Sequence, residues 1–103
     1  MSASTQPECS VAIQVLPQAE GEEVIRIVDA VIAHLKASGL PCYVGPFEST
    51  VEGDFDTCMR LIREAQEIVI REGAPSVSSY VKIFWNPTQG VWSIDKKVAK
   101  HHA

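Results

Sequence analysis

Ser49, Thr50 and Glu52 are the residues of this chain whose types and spacing suit ligand chemistry. They lie in the run Gly45-Pro46-Phe47-Glu48-Ser49-Thr50-Val51-Glu52-Gly53-Asp54, which reads as a strand with breakers at both ends. Side chains alternate between the two faces of a strand, so Thr50 and Glu52 share one face and Val51 takes the other. A hydroxyl and a carboxylate side by side on a sheet can recognise a small polar or cationic ligand. The same pattern also describes an ordinary solvated strand face with a turn after it.

Few other residues offer chemistry. Cys9, Cys42 and Cys58 are widely spaced, and no C-x-x-C occurs. They read as reduced, partly buried thiols rather than a disulfide framework or a zinc site. His34 sits in a helical pattern with no second ligand four residues away, and His101-His102 reads as a solvated tail, so no metal site is expected. The three histidines support no Ser-His-Asp or Cys-His arrangement, and no phosphate-cradling P-loop is present. Glu52 alone is a weak signal for acid–base catalysis. The expectation is a protein without catalytic residues or a cofactor.

Composition narrows the class further. The chain has 103 residues, 46% apolar and 21% charged, as in a single globular domain. Its net charge of −4 argues against non-specific nucleic-acid binding, and the aromatic RNA-binding signature is missing. No apolar run approaches the roughly 18–20 residues of a membrane helix. Met1 to Glu8 lacks the basic and apolar blocks of a signal peptide. A cytoplasmic protein is expected, with a flexible stretch at 1–8, one domain over 9–100 and a tail at 101–103.

The elements that must position Thr50 and Glu52 follow from periodicity. Cys9 to Leu16 reads as a strand, with Cys9, Val11, Ile13 and Val15 on one face and Ser10, Ala12, Gln14 and Leu16 on the other. From about Glu20 to Ser38, Val24, Ile27, Val28, Val31, Ile32 and Leu35 form a helical stripe ended by Gly39. Pro41 to Pro46 and Phe47 to Gly53 read as two short strands joined at Gly45-Pro46. Asp54 is suited to cap a second helix over Phe55 to Glu72, with Phe55, Met59, Ile62, Ala65, Gln66 and Val69 on its stripe and Gly73 as its stop. Ser76 to Asn86 reads as the last strand. Trp92 to Lys100 reads as a short basic helix starting from Ser93.

The order β-α-β-β-α-β predicts an α+β, ferredoxin-like fold, with a four-stranded antiparallel sheet carrying two helices on one face. The other face is expected to lack a third layer. It would carry Ala12, Gln14 and Leu16, then Thr50 and Glu52, then Tyr80, Lys82 and Phe84. Such a face is too apolar to stay wet without a reason. It is expected to serve as an interface between subunits, to hold a pocket with Gln14, Thr50, Glu52 and Lys82 as convergent polar groups, or both. A Glu52–Lys82 ion pair is the plainer alternative role for Glu52.

Val11-Ala-Ile-Gln-Val-Leu-Pro17, Ser38-Gly39-Leu40, Gly45 through Asp54, Met59, Glu72-Gly73-Ala74 and Val81-Lys-Ile83 together resemble the small thiamine-binding protein family, long catalogued as uncharacterised. The resemblance runs from Cys9 to Lys100, and Thr50-x-Glu52-Gly53 is its most specific part. It implies a ferredoxin-like subunit that forms homodimers or homotetramers through its sheets. It also implies binding of thiamine or its hydroxymethylpyrimidine half near the sheet and subunit interface. Carried over by motif, the ligand residues are Ser49, Thr50 and Glu52, with Gln14 on the adjacent strand. On chemical grounds alone, a cationic thiazolium wants a carboxylate or an aromatic face, which Tyr80 and Phe84 could offer. The alternative from another class is a structural or regulatory homo-oligomer with no small-molecule ligand.

Overall fold

The computed structural model describes residues 6–102, with side chains described as far as residue 99. Most of the stretch expected to be flexible at the N-terminus, the side chains of His101 and His102, and Ala103 lie outside the described residues. The elements are β1 (Cys9–Pro17), α1 (Glu22–Ala37), β2 (Cys42–Val44), β3 (Ser49–Gly53), α2 (Phe55–Arg71), β4 (Val77–Trp85) and α3 (Ile94–His102). The strands form one antiparallel sheet in the order β2-β3-β1-β4, the ferredoxin-like arrangement expected from the sequence.

The two helices close one face of this sheet as their patterns require. Cys9, Val11, Ile13 and Val15 on β1 meet Ile27, Val31 and Leu35 of α1 in a single buried cluster. Removing each larger aliphatic side chain from water contributes about 1.5–3 kcal/mol before entropy is set against it. The face that α2 buries is centred on Cys58, Leu61, Ala65, Ile68 and Val69. The sequence stripe named Ala65 and Val69 correctly, but Phe55, Met59 and Ile62 are only partly buried at its flank. An amphipathic stripe more than one residue wide has two plausible centres, and contact with β1 selects between them.

The ends of α2 are fixed by specific groups. The Thr57 amide donates to Asp54 Oδ2 at 3.0 Å, and this bond holds the Asp54 carboxyl below its ordinary value. Glu8 Oε1 accepts from the Phe55 amide at 2.8 Å, so a residue ahead of β1 satisfies another free N–H of the first turn. At the other end, the Ala74 amide donates to the Val69 carbonyl at 3.3 Å and the Gly73 amide to the Ile70 carbonyl at 3.0 Å. This is a Schellman closure, and it needs the positive φ of 114° that Gly73 adopts.

His34 and Glu64 join the two helices through a 2.8 Å bond between Nε2 and Oε1. On the exposed side of α2, Arg63 Nε lies 3.8 Å from Glu67 Oε2. Strands β2 and β3 are shorter than their sequence runs. The Gly45 amide donates to the Glu48 carbonyl at 2.9 Å, closing a turn that withdraws Pro46 and Phe47 from the ladder. Phe47 consequently stands 78% exposed at the turn's tip.

The second sheet face is not wholly open. After β4, the Val91 amide donates to the Pro7 carbonyl at 2.7 Å, and the chain then crosses the sheet end as α3. Val91 and Ile94 are buried there. The expectation of no third layer is therefore corrected: α3 covers one end of the face and leaves the other uncovered. The connection 86–91 decides this, because it returns the chain over β1 rather than away from it.

Candidate functional site

Antiparallel register places the polar residues of the uncovered face. Tyr43, Thr50, Ala12 and Lys82 lie in one row across β2, β3, β1 and β4. One step further along, Gln14 is paired with Tyr80, and Glu48 precedes β3 on the same side. Directly paired side chains sit roughly 4.5–5.5 Å apart at Cβ, so these two rows form one surface. Ala12 is the small residue among larger ones, and its row is lowest there.

The result is a cleft of about 520 Å³ walled by Gln14, Tyr43, Glu48, Thr50, Tyr80 and Lys82. The turn carrying Phe47 forms its rim. Tyr80 is 65% exposed, so its ring is open to a partner. Among the described residues, no hydrogen bond commits the Gln14 amide or the Thr50 hydroxyl. Lys82 Nζ lies 3.3 Å from Glu48 Oε1, an exposed pair in which Lys82 is 76% accessible. Exposed pairs of this kind contribute at most about 1 kcal/mol, so either partner can be recruited by a ligand.

The four ligand residues expected from the sequence are not all brought together. Gln14 and Thr50 share the cleft. Ser49 is paired with Ile13, which puts it on the helix-bearing face, where it is buried. It lines a separate cleft of about 350 Å³ between α1 and the β2–β3 turn. Gln14 and the turn Gly45–Glu48 border both clefts, so the turn is the ridge between them.

Glu52 shares a face with Thr50, as strand alternation requires, but it is only 6% exposed. Its Oε2 accepts from the Ile94 amide at 2.6 Å, at the start of α3. Ser93 Oγ accepts from the Lys96 amide at 3.1 Å and completes that helix start. The alternative Glu52–Lys82 pair does not form. Glu52 is paired across the sheet with Ser10, whereas Lys82 is paired with Ala12, one row away and beside Glu48. Phe84 is opposite Ser10 at the α3 end and does not reach the cleft of Gln14 and Thr50.

Two wall residues, Tyr43 and Glu48, were not anticipated. Both were within reach of the pattern. Glu48 is two residues before Thr50 and so on its face, and Tyr43 is placed opposite Thr50 once the hairpin is closed by the four-residue turn. Among the described residues, no three His, Cys, Asp or Glu side chains gather as a metal set, and no helix is long and apolar enough to cross a membrane.

Comparison with known proteins points in one direction. A family model described as thiamine-binding protein matches residues 11–102. A UPF0045 protein of Clostridium perfringens is 39% identical over 93 residues, which is 90% of this chain and 96% of that protein. A domain of unknown function from Bacillus cereus superposes with a TM-score of 0.83 at 33% identity, covering 97% of this chain and 95% of its own. A candidate thiamine biosynthesis/salvage protein from Thermotoga maritima superposes with a TM-score of 0.81 at 27% identity, covering 92% of this chain and 99% of its own.

Proposed function

This chain belongs to the thiamine-binding protein family, and on that premise we propose that it binds thiamine or its hydroxymethylpyrimidine half, non-covalently and without catalysis, in the cleft on the uncovered sheet face. The observation that carries the reading is the pair of uncommitted polar groups, Gln14 amide and Thr50 hydroxyl, set between Tyr43 and Tyr80. An aminopyrimidine presents donors and acceptors on one edge. An amide offers both, and a hydroxyl offers both. A thiazolium ring is a cation, and tyrosine faces within about 6 Å attract it. The Glu48 carboxylate adds a negative group at the rim.

In this reading Gln14 and Thr50 touch the ligand. Ser49 and Glu52 support the same strand from either side, Ser49 from the helix face and Glu52 by anchoring α3. The family resemblance and three free thiols suit a cytoplasmic protein.

A specific observation also favours self-association. Tyr80, Val81, Ile83, Phe84 and Trp85 are exposed along β4, an edge strand whose outer hydrogen-bonding groups face no other strand of the sheet. A second copy of the chain would cover them, and we place the ligand beside that interface. An assembly without a ligand is the competing reading.

Titration calorimetry with thiamine and, separately, hydroxymethylpyrimidine, with mass recorded by light scattering, tests the proposal. Saturable binding at a fixed ratio to subunits is expected. Thr50→Val should weaken it by about tenfold, the loss of one well-made hydrogen bond. Absence of heat with both compounds on a well-folded oligomer would overturn the ligand reading and leave assembly in its place.

A further inference from the structure

Beyond the ring-binding cleft, the uncovered face continues toward α3 as a shallower depression of about 260 Å³. It shares Glu48, Thr50 and Lys82 with the first cleft. Its far wall is Ser10 and Lys97, and Ala12 is its floor. The two depressions are therefore one trough. Successive residues on the same face of a strand are about 6.6–6.8 Å apart, which is the step from Ala12 to Ser10.

We propose that this middle stretch is an anion subsite that takes the phosphate of a phosphorylated form of the same ligand. The inference rests on the ligand reading above. Its carrying observation is Lys97. This part-buried lysine reaches from α3 to the sheet, and its Nζ lies 3.3 Å from Ser10 Oγ. Among the described residues, no carboxylate lies within ion-pair distance of it. The nearest acid by register, Glu52, is paired with Ser10 on the sheet and is already engaged by the Ile94 amide.

On the opposite wall, Lys82 is held only by its exposed pair with Glu48. A phosphate dianion outcompetes a carboxylate for an exposed ammonium, because charge-assisted bonds strengthen with the charge on the acceptor. The hydroxyls of Ser10 and Thr50, which line the same depression, supply further donors. A chain of net charge −4 thus sets two ammonium groups facing one small depression beside a ring-sized cleft. A ring bound between Tyr43 and Tyr80 would direct an attached phosphate toward Lys97.

The test compares thiamine, thiamine monophosphate and inorganic pyrophosphate by titration calorimetry on the full chain at 0.1 M and 0.5 M salt. The ester is expected to bind about tenfold more tightly than thiamine at the lower salt, with the advantage shrinking at the higher. Lys97→Met keeps the aliphatic stem and should abolish the ester's advantage while leaving thiamine affinity within about twofold, and Lys97→Arg should restore it. Circular dichroism checks that both variants are folded.

If thiamine binds and the ester binds no better, or if the advantage survives Lys97→Met, the subsite is overturned and the ligand reading stands. Pyrophosphate binding that Lys97→Met abolishes, with no binding of thiamine, would keep the subsite and overturn the ligand reading. Silence from all three compounds overturns both. A change of oligomer mass in Lys97→Met with no change in ester preference would make Lys97 a subunit contact instead and would also overturn the subsite.

Discussion

Glu52 and Ile94 are 42 residues apart in sequence, yet the carboxylate of one accepts a 2.6 Å hydrogen bond from the backbone amide of the other. Through this contact strand β3 holds the terminal helix on the face that carries the cleft. A buried carboxylate at a helix start satisfies an otherwise free N–H and faces the positive end of the helix dipole.

Removing that carboxylate should release α3 before it unfolds the sheet. Glu52→Ala leaves the buried Ile94 amide without a partner, a cost of about 1–3 kcal/mol. Hydrogen exchange should show faster opening of amides in Ile94–His102 with little change in β1. Glu52→Gln keeps an acceptor and should retain most of the protection. Equal loss of protection throughout the chain in Glu52→Ala would show that α3 has no separate stability.

Cys9 and Cys58 are free thiols, both fully buried in the core cluster. Burial pushes the Cys58 thiol up from its ordinary 9.0 to about 12. The folded state therefore holds a proton that the unfolded chain releases above pH 9.0, so this contribution to stability is complete below pH 9.0 and is lost as pH rises toward 12. Urea unfolding should show stability falling from pH 9 upward. Cys58→Ala should lower stability at pH 7 by roughly 1–2 kcal/mol but flatten that alkaline decline. An unchanged alkaline slope in the variant would contradict the assignment.

At the acid end the corresponding group is Glu64. Its bond to His34 holds its carboxyl below the ordinary 4.5. The stabilisation is present above pH 4.5 and is lost as pH falls through the lower folded value. The pair is partly exposed, so its contribution is small, about 0.5 kcal/mol. Glu64→Gln should make the decline in stability below pH 4.5 shallower and leave the neutral region nearly unchanged. Thermal melts between pH 3 and 6 would check this.

The exposed edge strand bears on assembly. Ile83 is 52% accessible in the subunit, so Ile83→Lys should leave the subunit folded within about 0.5 kcal/mol. If β4 is the subunit contact, the same change places a charge in an apolar interface and should reduce the light-scattering mass to that of one chain. An unchanged mass would move the interface elsewhere on the molecule.

Gly90 marks how the 86–91 connection is tied to the N-terminal segment. Its φ is 80°, and a Cβ there would stand 2.8 Å from the Pro7 carbonyl oxygen. Gly90→Ala combines left-handed strain of about 1 kcal/mol with a backbone clash. It should lower the melting temperature and loosen α3, because Val91 binds Pro7 just ahead of that helix.

Local chemistry alone was enough for much of this. The element order is written in alternation on β1 and in the helical spacing of Val24 to Leu35. Asp54, Gly39 and Gly73 carry their capping roles in their own side chains or lack of one. The shared face of Thr50 and Glu52 follows from strand parity, and so does the opposite placement of Ser49. These are short-range consequences of backbone geometry, which is why they can be read without any contact being known.

What needed tertiary structure is who meets whom. Two clefts divided by the Gly45–Glu48 turn, the choice of Glu48 over Glu52 as the partner of Lys82, and the capping of Ile94 by Glu52 all depend on register and on the path of residues 86–93. A shift of one residue in strand pairing would move every side chain to the other face, and periodicity within a single strand does not fix pairing between strands. The chain therefore determined which residues could serve a site by itself. The return of α3 over the sheet decided that Glu52 anchors a helix while Gln14 and Thr50 remain uncommitted in the cleft.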